Sequence, residues 1–148
     1  MKQLCDKSIG ELEAEISQAM IRFEKEIMGR GPLETRTFLI EDLVLIRLKG
    51  ALTPSEIKLA ETGDGQRGRY LVKQARQELV DHSRPMLEAV VRDVLGVEVR
   101  SLHTDISTKT GERVIVLSLD RKPDLGPVEK GTRSRNGDNS DGRRQLVK

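Results

Sequence analysis

Apolar residues at Ile9, Leu12, Ile16, Met20, Phe23 and Ile27 recur in steps of three and four, the period of a single stripe along a helix. Ser8 and Glu11 form a capping box at its start. Gly29-Arg30-Gly31-Pro32 ends it, because two glycines and a proline cannot continue the hydrogen-bond ladder. The pattern then turns strand-like. Thr37 to Ile40 is a short β-prone run, and Leu43 to Leu48 puts Val44, Ile46 and Leu48 on one face. Glu41-Asp42 is the turn between them, without the glycine that a two-residue hairpin prefers, and Gly50 closes the pair. Thr53-Pro54-Ser55-Glu56 opens a second helix with a capping threonine, a proline at the first helical position and a reciprocal glutamate. Gly63, Gly65 and Gly68 keep that helix short. From Arg69 to Leu95 the period is helical again, with Val72, Ala75, Leu79, Met86, Val90 and Val94 on a common face. Pro85 inside this stretch predicts a kink or a restart near Ser83, and Gly96 is the natural residue to end it. Two strands, Val97 to about Ile106 and Val114 to Leu119, follow around a hairpin at Lys109-Thr110-Gly111.

The order α-β-β-α-α-β-β, with helices grouped between hairpins, predicts an α+β fold. In it, helices cover one face of a four-stranded, mainly antiparallel sheet. Residues 1–120 form one such domain. The run Val114-Ile115-Val116-Leu117 is apolar on both sides, which calls for a central position or an additional covered face. The narrow stripe of the first helix suits packing against the sheet or against a second copy, a homodimer.

Composition narrows the chemistry. The 148 residues hold three aromatics, Phe23, Phe38 and Tyr70, too few for a surface that stacks exposed bases. One cysteine, Cys5, excludes an internal disulfide and a multi-thiolate zinc site. His82 and His103 leave little for a metal site or a triad, so neither metal nor cofactor is expected. The net charge of +2 conceals an asymmetry. The segment 121–148 carries eight basic and four acidic residues, net +4, whereas residues 1–120 carry 18 basic and 20 acidic, net −2. With Pro123, Pro127, several glycines and few apolar residues, 121–148 reads as a disordered basic tail. The start has no apolar segment behind its lysine, and the longest strongly apolar runs are four residues, far short of the roughly 20 that span a bilayer. A soluble, cytoplasmic protein is expected.

Individual constellations are weak. His103 and Asp105 share a strand face but lack a third ligand, and His82 beside Asp81 reads as a solvated helix residue. Gly63, Gly65 and Gly68 follow no strand and precede no Lys-Ser or Lys-Thr, so neither the dinucleotide nor the phosphate-loop pattern is met. Gly65-Gln66-Arg67-Gly68 is a GxxG between two helices, an order that resembles a type II KH domain, whose GxxG loop clamps a nucleic-acid backbone. Arg67, Arg69, Lys73 and Arg76 lie near enough in sequence to meet phosphates. Nucleic acid is a partner only under this alternative reading.

The combination of elements is more specific. A helix running into Gly29-Arg30-Gly31-Pro32 is followed by a hydrophobic hairpin and by Gly50-Ala51-Leu52-Thr53-Pro54-Ser55-Glu56, with Leu59-Ala60 next. Then come Leu71-Val72 and Arg76, a helix ending at Leu95-Gly96 and a strand ending at Leu119-Asp120. Over residues 8–120 this resembles the MpsC-type family, small bacterial proteins long catalogued as a domain of unknown function. The resemblance implies a soluble accessory component of a cation-translocating (Na+) system that generates membrane potential and supports bicarbonate supply. Its membrane subunits would be the partners, and its place the inner face of the membrane. It brings no catalytic residues, and the chain is expected not to be an enzyme. Gly29, Gly31 and Pro32 shape a reversal, and Thr53 and Glu56 cap a helix. Arg30, held between two glycines, suits a carboxylate, an anion or a partner's surface; a solvated turn arginine or a bridge to an acid such as Glu34 is the plainer alternative. Arg76 faces the same choice, with an internal ion pair favoured.

Overall fold

Ser8 and Glu11 exchange the two hydrogen bonds of a capping box, each at 3.1 Å, and start helix α1, Ile9–Met28. In the computed structural model, residues 7–125 are described. Gly29 ends α1 at φ 83°, its N–H on the Lys25 carbonyl. Strands β1, Glu34–Ile40, and β2, Leu43–Lys49, form the first hairpin. Glu41 takes φ 58° there, the left-handed conformation that such a tight turn needs at its first central residue. β1 begins three residues before the apolar pattern announces it, since Glu34, Thr35 and Arg36 pair with Lys49, Leu48 and Arg47 while carrying polar side chains. Helix α2, Pro54–Ala60, and helix α3, Gln66–Leu95, follow. Strands β3, Val99–Ile106, and β4, Arg113–Leu119, complete the order α-β-β-α-α-β-β.

The sheet is antiparallel throughout, in the order β1-β2-β4-β3. β4 is central, which accounts for one of the two readings of its apolar run. One face of the sheet, with Leu39, Val44, Ile46, Leu48, Ile115, Leu117 and Leu119, packs with Leu12, Ile16, Met20 and Phe23 of α1 and with Val72, Leu87, Val91 and Leu95 of α3. The expected α+β architecture is present.

α3 differs from its expected form in three ways. It starts at Gln66 rather than Arg69. It runs unbroken through Pro85, so the expected restart near Ser83 does not occur. Asp81, whose carbonyl loses its donor to the proline, and Pro85 are both exposed residues, on the side of the helix where water can replace a missing backbone donor. Buried Ser83 donates to the Leu79 carbonyl at 2.7 Å. The buried face is also rotated by about one residue. It consists of Gly68, Val72, Arg76, Val80, Ser83, Leu87, Val91 and Leu95, whereas Ala75 and Met86 of the expected stripe are exposed. Arg76 and Ser83 look like surface residues in the sequence and mask the true stripe.

The tail expected from Arg121 begins against the domain. Arg121 donates to the Gly96 carbonyl at 3.0 Å, Pro123 is buried and Leu125 packs on the core. The rest of that segment, and Cys5, lie outside the described residues.

Gly68 sits where α3 crosses α2. A Cβ there would stand 1.8 Å from the Leu59 carbonyl oxygen, a contact that backbone must move to relieve. Gly68→Ala is expected to destabilise the protein by about 3 kcal/mol, the upper part of the overpacking range, against about 1 kcal/mol of helix propensity gained. Gly10→Ala on α1, where a Cβ meets only the Ser8 hydroxyl at 3.9 Å, is the control and should not destabilise. Urea midpoints of the two variants check both.

Candidate functional site

Thr53 caps α2 by accepting from the Glu56 N–H at 3.2 Å, and Pro54 takes the first helical position, where no backbone donor is needed. The Glu56 carboxylate then serves two partners. Oε1 accepts from the Thr53 N–H at 2.8 Å and from Arg76 Nη2 at 2.7 Å, and Oε2 accepts from Arg76 Nε at 2.7 Å. This is a bidentate guanidinium–carboxylate fork. Arg76 reaches it because it lies four residues after Val72 and four before Val80, on the buried stripe of α3. Its Nη2 also donates to the Ala51 carbonyl at 2.5 Å.

Two further residues extend the fork into the core. Glu24 of α1 places Oε1 3.6 Å from Arg76 Nη1 and accepts with Oε2 from Arg113 Nη1 at 2.5 Å. Arg76 Nη1 itself is buried without a hydrogen bond, so charge alone links it to Glu24. Arg113, at the start of β4, also donates from Nε to Thr104 Oγ1 at 3.4 Å. The Arg76, Arg113 and Glu24 side chains are 4, 4 and 2% exposed. Two carboxylates and two guanidiniums thus form a neutral cluster joining all three helices to the sheet.

Burial pushes the Arg113 guanidinium below its ordinary range; Glu24 opposes this, and neighbouring Arg76 adds to it. Burial by itself would raise Glu56, but the Arg76 hydrogen bonds, the Thr53 N–H and the Arg76 charge outweigh it and hold the carboxyl below its ordinary value of 4.5.

Arg30 converges on the same segment. Gly29 turns the chain out of α1, and Arg30 Nη1 donates to the Leu52 carbonyl at 2.7 Å, not to Glu34, which lies beside Arg36 at 3.3 Å. Ala51 N–H donates to the Gly111 carbonyl at 2.9 Å. The stretch Ala51–Thr53 is therefore held by Arg30, Glu56, Arg76 and the β3–β4 hairpin together. Arg30, Thr53, Glu56 and Arg76 meet here, while Gly29, Gly31 and Pro32 form the elbow that delivers Arg30.

The Gly65–Gly68 loop of the KH-like alternative is not a loop. Gly65 is the N-terminal cap of α3 at φ 82°, and Gln66, Arg67 and Gly68 form its first turn. Gly68 is buried against α2 because the two helices touch through backbone, so its lack of a side chain serves packing. His103 and Asp105 do share the outer side of β3 and are exposed. Asp105 is paired with Lys73 at 3.1 Å, which holds its carboxyl below the ordinary range against a small effect of burial. His82 is exposed beside Asp81. A groove of about 980 Å³ lies between α2, the start of α3 and the β3–β4 hairpin, with Arg69, Lys73 and Lys109 interleaved with Glu61, Asp105 and Glu112. Among the described residues no group of three His, Cys, Asp or Glu side chains converges as metal ligands would.

Glu24 and Arg113 escape a reading of composition and motifs. Their positions do carry a signal: Glu24 follows Ile16 and Met20 in steps of four, and Arg113 shares strand parity with Ile115, Leu117 and Leu119. Charged residues at core positions are almost always paired.

The model of the family described as "Na+-translocating membrane potential-generating system (MpsC)" matches residues 8–121. The chain belongs to the MpsC family. Among its relatives in Bacillus subtilis (strain 168), the uncharacterized protein YbcI is 38% identical over 113 residues, covering 76% of this chain and 89% of YbcI. The uncharacterized protein YrhF is 30% identical over 112 residues, covering 74% and 88%. No solved structure matches the chain. The GRGP and LTPxE elements that mark the MpsC resemblance are thus the two sides of one structural clamp.

Arg76→Met leaves Glu24 and Glu56 without their shared cation and is expected to cost about 3–5 kcal/mol, as for other broken buried pairs, read from urea denaturation. Glu56 is lower in the folded state than in the unfolded chain, so its contribution is complete above about pH 4.5 and is lost as pH falls through its folded value. Glu56→Gln should therefore flatten the acid limb of a stability–pH profile that the parent protein shows below pH 4.5, with thermal melts between neutral pH and pH 3 as the measurement.

Proposed function

We propose that this MpsC-family chain is a non-catalytic accessory component of a Na+-translocating, membrane-potential-generating system and that it acts by protein–protein contact. The family match over residues 8–121 carries the reading. The fate of the motif supports it: Arg30, Thr53, Glu56 and Arg76 are spent on one another and on backbone carbonyls, so they build a scaffold, and recognition falls to the exposed surfaces. No helix among the described residues is long and apolar enough to cross a membrane. In this reading the transport step belongs to membrane subunits, and the chain works on their cytoplasmic side, at the inner face of the membrane. Bicarbonate supply is the physiological use that the resemblance attaches to such a system.

Deletion of the gene should lower the Na+-dependent part of the membrane potential, read with a potential-sensitive dye in Na+ against K+ medium, and complementation should restore it. The tagged chain should also recover integral membrane subunits from gently solubilised membranes. An unchanged potential, with the chain recovered free of membrane protein, would overturn the proposal.

A further inference from the structure

The side of the sheet away from the helices is a grid of three rows set by the strand registers. Across β1, β2, β4 and β3 these read Ile40–Leu43–Ser118–Ser101, Phe38–Leu45–Val116–His103 and Arg36–Arg47–Val114–Asp105. An antiparallel sheet with one solvated face alternates apolar with polar residues. Here β2 and β4 break that rule, placing Leu43, Leu45, Val114 and Val116 on the side that none of the described helices covers, flanked by Phe38 and by Ile40, which is 47% exposed. The charges are arranged as well. Arg36 and Arg47 occupy the β1–β2 side of the bottom row, and Asp105 occupies its β3 end.

We propose that this face pairs two copies of the chain, sheet against sheet, about a two-fold axis running along the strands between β2 and β4. Such an axis exchanges β1 with β3 and β2 with β4 while keeping each row in place. Leu45 then lies on the partner's Val116 at the centre, Leu43 on the partner's Ser118, Phe38 on the partner's His103, and Arg36 on the partner's Asp105. Each contact occurs twice, as an isologous interface requires. Arg47, paired with Glu112 of its own chain, falls on the partner's Val114, one charge per copy set against hydrocarbon. The other simple two-fold, across the strands, sets both Arg36 on Ile40 and Arg47 on Leu43, two charges per copy against hydrocarbon, and leaves Asp105 on Ser101 with no cation across the interface, so it is disfavoured. The ionic groups are available: Arg36 lies 3.3 Å from Glu34 and Asp105 3.1 Å from Lys73, both in exposed pairs that are readily exchanged. Four strands about 4.8 Å apart and five residues of about 3.4 Å each give a face roughly 15–20 Å on a side. That is smaller than the about 800 Å² per partner of a standard interface, so the pairing is weak and concentration-dependent, with half-association expected at micromolar to sub-millimolar concentration, roughly 1–500 μM. The inference rests on the fold alone and stands or falls separately from the transport assignment.

Sedimentation velocity on the full chain, from about 1 to 500 μM to bracket that range, should show a monomer–dimer equilibrium. Val116→Lys should weaken it by at least about tenfold with an unchanged far-UV CD spectrum. Arg36→Asp and Asp105→Arg should each weaken it several-fold, and the two together should restore it to within about threefold of the parent. Should Val116→Lys fail to fold, Phe38→Lys on the edge strand carries the same expectation. A monomer throughout would overturn the proposal, as would a dimer indifferent to lysine on this face. A dimer sensitive to lysine but not rescued by the charge exchange would overturn the two-fold arrangement.

Discussion

A buried guanidinium must find carboxylates or leave the core, and the helical layer of this MpsC-family fold is arranged around that demand. Arg76 is the hub. It forks onto Glu56, reaches the Ala51 carbonyl and lies against Glu24, which in turn holds Arg113. These residues come from α3, α2, the β2–α2 connection, α1 and β4, so the positions of five segments are tied to one set of charges. Hydrophobic burial supplies most of the driving force, but it is non-directional. The ion cluster is demanding in geometry: shifting any helix by one turn would strand a charge in the core.

Backbone proximity adds a second constraint. α2 is only seven residues long, too short to hold a helix by itself. It is held by its cap, by the Glu56–Arg76 fork and by direct approach of α3 at Gly68. The approach requires a residue without a side chain, and the fork requires Arg76 two turns further along the same face. Both requirements fix the rotation of α3 about its axis, which explains why its buried stripe runs through an arginine and a serine instead of following the most apolar residues.

The elements and their order are legible in the sequence because they rest on local signals: periodicity in α1, reciprocal caps at Ser8–Glu11 and Thr53–Glu56, glycines at Gly29 and Gly96. The rotation of α3 is not, since Ala75, Leu79, Met86 and Val90 form an apolar set as regular as the true one. Only tertiary partners decide between the two. The site follows the same division. Arg30, Thr53, Glu56 and Arg76 can be singled out from motif chemistry, but that they meet around Ala51–Thr53 depends on contacts between residues 20 to 25 positions apart. Glu24 and Arg113, 89 positions apart, become visible only when a charge at a core position is taken as a request for a partner. The Gly65–Gly68 pair is ambiguous for a related reason: a glycine pair near a helix start looks the same in sequence whether it frees a loop or lets two helices touch.

The borders of the sheet carry a consequence of their own. On β1 the Leu39 N–H donates to Glu13 of α1 at 2.8 Å, and Thr37 shares a hydroxyl–hydroxyl bond with Ser17 at 2.8 Å. On β3 the ladder is interrupted between Val99 and Ser101. An uninterrupted, unguarded strand is a template onto which further strands can add without limit. Here one border has a carboxylate seated on its donor and the other is broken by an irregularity. A chain with so apolar a sheet is thereby steered away from fibrous, strand-by-strand growth, and its capacity to associate is turned from the borders of the sheet to its broad side.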